Sequence, residues 1–97
     1  MRLDPDIGRS HFLLATAYNF LNQHNKAIDH LKKFIELFSG DKDIKGQAYY
    51  HLGRSYGELK QWDKAIVSLK EAIKLQPDYA DAFMQLGLVF CAKEKGP

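Results

Sequence analysis

The chain has 97 residues, which is enough for one domain or one short stack of repeats. Fourteen Lys and Arg against twelve Asp and Glu leave a formal charge of +2, far from the basic excess of a dedicated nucleic-acid binder. No apolar run reaches the roughly 18 to 20 residues that cross a bilayer, so the composition predicts a soluble chain without membrane insertion, with the cytoplasm as the default compartment.

Five helices are predicted from the spacing of apolar residues, and no segment has the alternation of a strand. Residues 8–21 form the first, and 24–38 follow after a short polar turn. Residues 45–59 and 62–75 repeat this helix–turn–helix design, and a fifth helix is predicted over 78–92. The second and fourth segments are amphipathic, with small and apolar residues on one face and Lys, Asp and Glu on the other.

A repeat is visible in the sequence. The motif Leu-Gly-x-x-Tyr at 52–56 recurs 34 residues later, at 86–90, with Phe as its last residue. An earlier copy, Leu-Ala-x-x-Tyr at 14–18, stands 38 residues ahead of the central one, so four residues are inserted between the first two copies. A period of 34 residues is typical of stacked helix pairs.

These residues resemble the tetratricopeptide repeat family, whose pattern is W-x2-L-G-x2-Y, then A-x3-F, then P. The resemblance covers nearly the whole chain, and the central copy matches best. It has Tyr49 in place of Trp, Leu52, Gly53, Tyr56, Ala65, Leu69 in place of the aromatic, Ala72 and Pro77. The resemblance implies an all-α fold: a right-handed superhelical stack of antiparallel helix pairs, with about two full repeats and one further helix.

The resemblance also implies a domain organisation. We expect a single domain over 1–97, and the opening residues and the helix without a partner at the end suggest a fragment of a longer array. The predicted parts are the tail of a preceding repeat at 1–7, repeat one at 8–45 with its insertion, repeat two at 46–79, and the first helix of repeat three at 80–92. Phe34 stands where the second copy has Ala72, so we expect the first pair to splay from the second.

Small and large residues have separate packing roles in this family. Gly53 and Gly87 are predicted at helix crossings, where a side chain would force the two helices of a pair apart. Tyr56 and Phe90 are predicted to fill the space between successive pairs.

The family resemblance places a concave groove along the first helix of each pair, where it holds a peptide or a helix of a partner protein. Phe12 and Tyr50 are the expected anchors, and Arg54 and Asp81 would supply charge contacts at the edge. The predicted strip is mainly apolar and aromatic. Its residues are Arg9, Phe12, Thr16, Asn19, Phe20, Gln47, Tyr50, Arg54, Glu58, Asp81, Met84 and Leu88, with Gly57 and Cys91 beside them.

One specialisation of the family is not expected. A carboxylate clamp of Lys and Asn side chains grips the acidic C-terminal tails of chaperones, but the corresponding positions here are Phe12, Thr16, His51, Asp81 and Gln85. Asp81 would repel a carboxylate, so chaperone tails are not expected partners.

A second function stays open beside the adaptor. The predicted fifth helix has an apolar face with no partner helix, formed by Phe83, Leu86, Val89 and Phe90. A large uncovered apolar patch is uncommon on a monomer, so this face predicts a homodimer. In this alternative the chain is a structural or self-assembly segment that forms homo-oligomers through the groove or through the uncapped C-terminal helix.

Catalysis is not expected. The four histidines (His11, His24, His30 and His51) have no metal-ligand spacing, and three of them are predicted near solvated surfaces, with His24 in a packing role. No nucleophile elbow, Walker loop or dinucleotide fingerprint occurs. We therefore expect no enzyme activity, no metal and no cofactor.

Overall fold

The computed structural model describes residues 7–37, 40 and 42–95, with side chains from Leu14 onward in the first helix. Five helices make up the fold: Ile7–Phe20 (α1), His24–Leu37 (α2), Lys42–Glu58 (α3), Trp62–Leu75 (α4) and Ala80–Lys95 (α5). The described residues contain no strand, and the all-α helical repeat prediction is confirmed.

The helix boundaries agree with the predicted ones to within three residues. The largest differences lie at α3, which begins at Lys42 instead of 45, and at α5, which runs from Ala80 to Lys95 instead of 78–92. The inserted segment between α2 and α3 falls largely on residues outside the described ranges, and the predicted splay of the first pair stays a prediction.

Each helix pair turns in the same way. Asn22 and Lys60 have φ angles of 62° and 61°, in the left-handed region that closes a helix. Beyond them, the amides of Gln23 and Gln61 donate to the carbonyls of Tyr18 and Tyr56, at 2.7 and 2.9 Å. This bond across six residues is the Schellman motif, and it satisfies carbonyls that the helix end leaves without a partner. The 38-residue repeat in sequence is thus a repeat in backbone geometry.

The helices pack in two layers. Helix α3 contacts the other four, α2 packs on α1 and α3, and α4 packs on α3 and α5, whereas α2 and α4 do not contact each other within the described residues. One layer therefore contains α1, α3 and α5, and the other contains α2 and α4. The core between them is formed by the buried side chains of Ala15, Ala27, Ile28, Leu31, Phe34, Ala48, Leu52, Tyr56, Ala65, Ile66, Leu69, Ala72, Ala82 and Val89.

Glycines mark where α3 and α4 cross closely. A Cβ on Gly53 would lie 2.6 Å from Leu69 Cγ and 3.3 Å from the Ala65 carbonyl oxygen, which confirms the role predicted for this residue. Gly46 is a second close approach that the sequence analysis did not single out, because a Cβ there would lie 3.2 Å from Gln76 Oε1. Both positions on α3 are glycines because the backbones of α3 and α4 pass so near each other there.

The equivalent positions in α5 do not behave as predicted. A Cβ on Gly87 would meet nothing within 4 Å, so no described helix crosses α5 at this point. Tyr56 is buried as predicted, whereas its counterpart Phe90 is 43% exposed and fills no space between helix pairs. Both predictions for α5 are wrong for this chain, because they presuppose a helix packed on the α5 face that carries these two residues.

Candidate peptide-binding groove

A depression lies between the C-terminal halves of α1 and α3, at the positions predicted for the groove. Its volume is about 210 Å³. It is lined by Thr16, Asn19, Phe20, His24, Arg54 and Glu58. All of these except His24 belong to the predicted strip, so the fold brings five of the predicted side chains around one cavity.

A polar network fixes the floor of this depression. The Nδ1 atom of His24 lies 2.7 Å from Asn19 Oδ1, and the buried Ser55 hydroxyl donates to the same oxygen at 3.0 Å. Ser55 Oγ also lies 3.1 Å from the His51 carbonyl oxygen. The network joins α1, α2 and α3, so it holds the Asn19 side chain in place.

Sequence reasoning missed Ser55 as part of the site, although a signal was present. Ser55 lies three residues after Leu52 and seven after Ala48, on the inward face of α3. A hydroxyl in a core needs a hydrogen-bond partner, and here that partner is a residue of the groove.

A second depression lies where α3 meets the start of α5, with a volume of about 280 Å³. Its lining residues are Gln47, Gln76, Asp78, Tyr79, Ala80 and Asp81. Gln47 and Asp81 were predicted, whereas Gln76, Asp78 and Tyr79 come from the α4–α5 turn, which was not predicted to be part of the groove. The lining of the second depression is mainly polar and that of the first is mixed, whereas the expected strip was mainly apolar and aromatic.

Tyr50 lies between the two depressions and is half-buried. Its ring centroid is 5.0 Å from that of Tyr79, and the guanidinium carbon of Arg54 lies 5.9 Å from the centre of its ring. Burial raises the pKa of Tyr79 to about 12. Tyr50 and Asp81 add to this increase, and the Arg54 charge opposes it. The Tyr79 phenol therefore keeps its proton at neutral pH and can donate a hydrogen bond.

His51 is half-buried and lies close to the exposed Arg54. Burial, followed by the nearby Arg54 charge, lowers the pKa of His51 to about 4. The imidazole is neutral at pH 7, since a buried cation beside another cation is unfavourable. His51 thus offers no positive charge to an acidic tail.

The apolar groove positions are exposed on α1 and α5. Phe20 is 88% exposed, and Met84 and Leu88 are also exposed, on one stripe of α5. All three side chains are more than half exposed, and Phe20 also lines the depression between α1 and α3. The side chains of Arg9 and Phe12 lie outside the described residues.

Three faces of α5 carry apolar residues, and only one is covered. Val89 is 5% exposed and packs toward Gly57, and Ala82 is fully buried. Val89 therefore does not belong to the uncovered face, which corrects the predicted homodimer surface. Phe83, at 51% exposure, and Phe90 do lie on that face, while Leu86 is half-buried against the core.

Comparison with known families matches both halves of this architecture. Residues 8–41 match the family model described as Tetratricopeptide repeat, and residues 53–93 match the model described as TPR repeat. The chain belongs to the tetratricopeptide repeat (TPR) family. The first match covers α1 and α2, and the second runs from within α3 through α4 into α5.

A solved structure has a similar fold. The structure titled "Crystal structure of MamA" is 35% identical, with a TM-score of 0.74, over 91% of this chain and 49% of that chain. This chain therefore spans about half the length of that protein. No curated protein sequence matches the chain.

TPR repeats generally mediate protein–protein interactions and are generally not catalytic. In the described part of this TPR chain, no three His, Cys, Asp or Glu side chains are grouped so that they could hold a metal ion. None of the described helices combines the length and the apolar character needed to cross a membrane.

Proposed function

We propose that this TPR chain is a non-catalytic adaptor that binds a peptide or a helix of a partner protein across the groove on α1, α3 and α5. The observation that carries the proposal is the depression between α1 and α3, where five side chains predicted from the repeat register surround a cavity of about 210 Å³. Its floor is held by the Asn19, His24 and Ser55 network, and a preorganised site loses less entropy on binding.

The chemistry of the groove favours a partner segment of mixed character. Arg54 and Glu58 offer charge contacts of both signs, Tyr79 offers a phenol proton, and Met84 and Leu88 offer apolar surface. An acidic chaperone tail suits it poorly, because Asp78 and Asp81 line the second depression. We further propose that the repeats run as predicted from sequence, over 8–45, 46–79 and 80–92.

Peptide display against the 97-residue chain tests this function. Selected peptides should bind Arg54→Ala and Glu58→Ala variants about 5- to 30-fold more weakly, which is the loss expected for residues at the centre of an interface. Lys74→Ala, an exposed change on α4, is the matched control and should bind as the wild type does. Peptides that bind all three variants equally well would contradict the groove as the binding site.

A second candidate function is self-association through α5. The observation that favours it is the exposure of Phe83 and Phe90 beside the open position at Gly87, because a helix that is apolar on several faces is normally buried on them. Sedimentation velocity should show a concentration-dependent dimer that Phe83→Glu and Phe90→Glu abolish. Val67→Glu, which makes the same change at an exposed apolar residue of α4, should leave the dimer intact. A monomer at every concentration would exclude this alternative.

A further inference from the structure

A cleft opens on the side of the molecule opposite the α1, α3 and α5 layer. Helices α2 and α4 do not contact each other within the described residues, so the α3 side chains between them form the floor of a depression of about 360 Å³. We refer to it as the outer cleft. Its lining residues are Lys32, Leu52, Tyr56, Asp63, Lys64, Val67 and Ser68.

The outer cleft has an apolar wall in an otherwise charged surface. The outward positions of α4 carry Lys64, Lys70 and Lys74, whereas Val67 is 63% exposed among them. A single exposed Val is ordinary on a protein surface. This one stands beside Leu52 and Tyr56, so the cleft has apolar contact surface on its floor and on one wall.

Cations flank the apolar part. Lys32 stands on the α2 side, and Lys64 stands on the α4 side with its ammonium nitrogen 5.8 Å from the centre of the Tyr56 ring. Another depression, also of about 360 Å³, adjoins the outer cleft and shares Asp63 and Lys64 with it. The remaining residues of this adjoining depression are Lys60, Gln61, Trp62 and Lys93.

The outer cleft and the adjoining depression carry a net positive charge once the ion pair within the protein is counted. The Asp63 carboxylate already forms an ion pair with Lys93, whose ammonium nitrogen lies 2.5 Å from Asp63 Oδ1. Within the described ranges, no carboxylate lies within ion-pair distance of Lys32, Lys60 or Lys64. Lys32 and Lys64 thus flank the apolar floor, and Lys60 lies in the adjoining depression, without an ion-pair partner among the described residues.

We propose that the outer cleft is a second docking site, for an acidic peptide segment that carries a large apolar side chain. The apolar side chain packs on Leu52 and Tyr56 beside Val67, and flanking carboxylates pair with Lys32 and Lys64. A further carboxylate reaches Lys60 in the adjoining depression. Charge complementarity selects an acidic segment, and the apolar floor selects one with an aromatic or aliphatic anchor.

Other polyanions fit this surface less well. A nucleic acid would need more cations than three unpaired lysines, in a chain whose formal charge is only +2. An anionic membrane would need protruding apolar residues, and the cleft offers Val67 alone. The site lies on the layer opposite the groove, so a partner there and a partner in the groove can be bound together.

Titration of the ¹⁵N-labelled 97-residue chain with a synthetic acidic peptide tests the proposal. The probe has twelve residues, alternating Asp and Glu with one central Phe. Amide shifts should move at Lys32, Lys64 and Val67, with weaker binding as salt is raised. Lys32→Gln and Lys64→Gln should each weaken binding by up to about fivefold, as expected for exposed charge pairs. Val67→Ser should weaken peptide binding more than either lysine variant does, because it removes apolar contact surface from the wall of the cleft.

Matched controls separate this site from general attraction. Lys70→Gln removes a charge from the same helix outside both depressions and should change binding less than twofold, and all variants should keep the wild-type melting temperature. The proposal is overturned if a peptide with Ser in place of Phe binds equally well, or if Lys70→Gln weakens binding as much as Lys64→Gln. It is also overturned if no amide resonance changes its chemical shift at millimolar peptide. Shifts confined to Arg54 and Glu58 would assign the peptide to the groove. Tighter binding to single-stranded RNA or to phosphatidylserine vesicles would assign the surface to another class of partner.

Discussion

Two glycines at equivalent positions of successive repeats have opposite surroundings. Gly53 lies against Leu69, which is fully buried, and has no space for a methyl group. Gly87 has open space in the same direction. The same residue type in the same motif therefore has two different energetic roles, and the difference comes from the presence or absence of a crossing helix.

Alanine substitution at the two glycines should change stability in opposite directions. Ala is favoured over Gly inside a helix by about 1 kcal/mol. Gly87→Ala should gain about this amount, whereas Gly53→Ala adds overpacking of about 1 to 3 kcal/mol and should be destabilised on balance. Each kcal/mol corresponds to a melting-temperature change of about 4 to 8 °C in a domain of this size, measurable by circular dichroism. A Gly53→Ala variant that melts no lower than the wild type would contradict the close crossing.

His51 gives the fold a dependence on pH. Its pKa is about 4 in the folded chain, against the ordinary histidine value of 6.5 that applies to the unfolded chain, so the unfolded chain binds more protons between these values. Stability should therefore fall as the pH is lowered through 6.5 toward 4, by about 1 kcal/mol per pH unit. Thermal melts at pH 7 and pH 5 measure the loss, and His51→Gln should reduce it. An equal pH dependence in this variant would exclude His51 as its source.

At the scale of elements, the helices could be predicted from the sequence and the exposure of α5 could not. Apolar spacing and the repeat of Leu-Gly-x-x-Tyr locate all five helices within three residues, because periodicity follows directly from which face is buried. Val89 and Phe90 were both expected on the uncovered face, yet one is buried and the other is not. A repeat motif gives the position of a residue in its helix, whereas burial also depends on which neighbouring helices are present.

The groove was predictable only in part for the same physical reason. Five side chains around the α1–α3 depression follow from the repeat register. Tyr79 and Gln76 come from the turn between α4 and α5, whose path has no periodic signal. Ser55 acts through hydrogen bonds to residues 36 positions away and within its own helix, and such a distant partner cannot be read from spacing.

Apolar packing, and not the ion pair at its end, should hold α5 against the preceding helices. Lys93 and Asp63 are largely exposed, and exposed pairs contribute about 0 to 1 kcal/mol. Val89→Ala removes buried apolar groups and should cost about 2 kcal/mol. Lys93→Ala should cost less than about 0.5 kcal/mol, so urea unfolding of both variants compares the two effects directly. A larger loss for Lys93→Ala would show that the ion pair is the stronger restraint.

At the scale of the whole molecule, contacts run between neighbouring helices along the stack, as in other repeat proteins. Within the described residues, helix α3 is the exception because it contacts the other four helices, whereas each of the other four contacts two. Stability in such stacks is approximately a sum of local terms, so the ends open more easily than the centre. The groove spans a stable central helix and two less stable terminal ones, and a ligand across it would join them.

Native-state hydrogen exchange should reveal this gradient. Amides at 48–56 in α3 and 65–72 in α4 should exchange slowest, since their residues form most of the buried core. Amides of α1 and α5 should exchange faster, because their opening free energy should be lower by about 1 kcal/mol or more. A groove-bound peptide should slow exchange in α1, α3 and α5 together. A homodimer through Phe83 and Phe90 should instead protect α5 alone as the protein concentration rises, so a single experiment distinguishes the two proposed functions. Uniform protection in all five helices of the free monomer would show one cooperative unit and contradict the gradient.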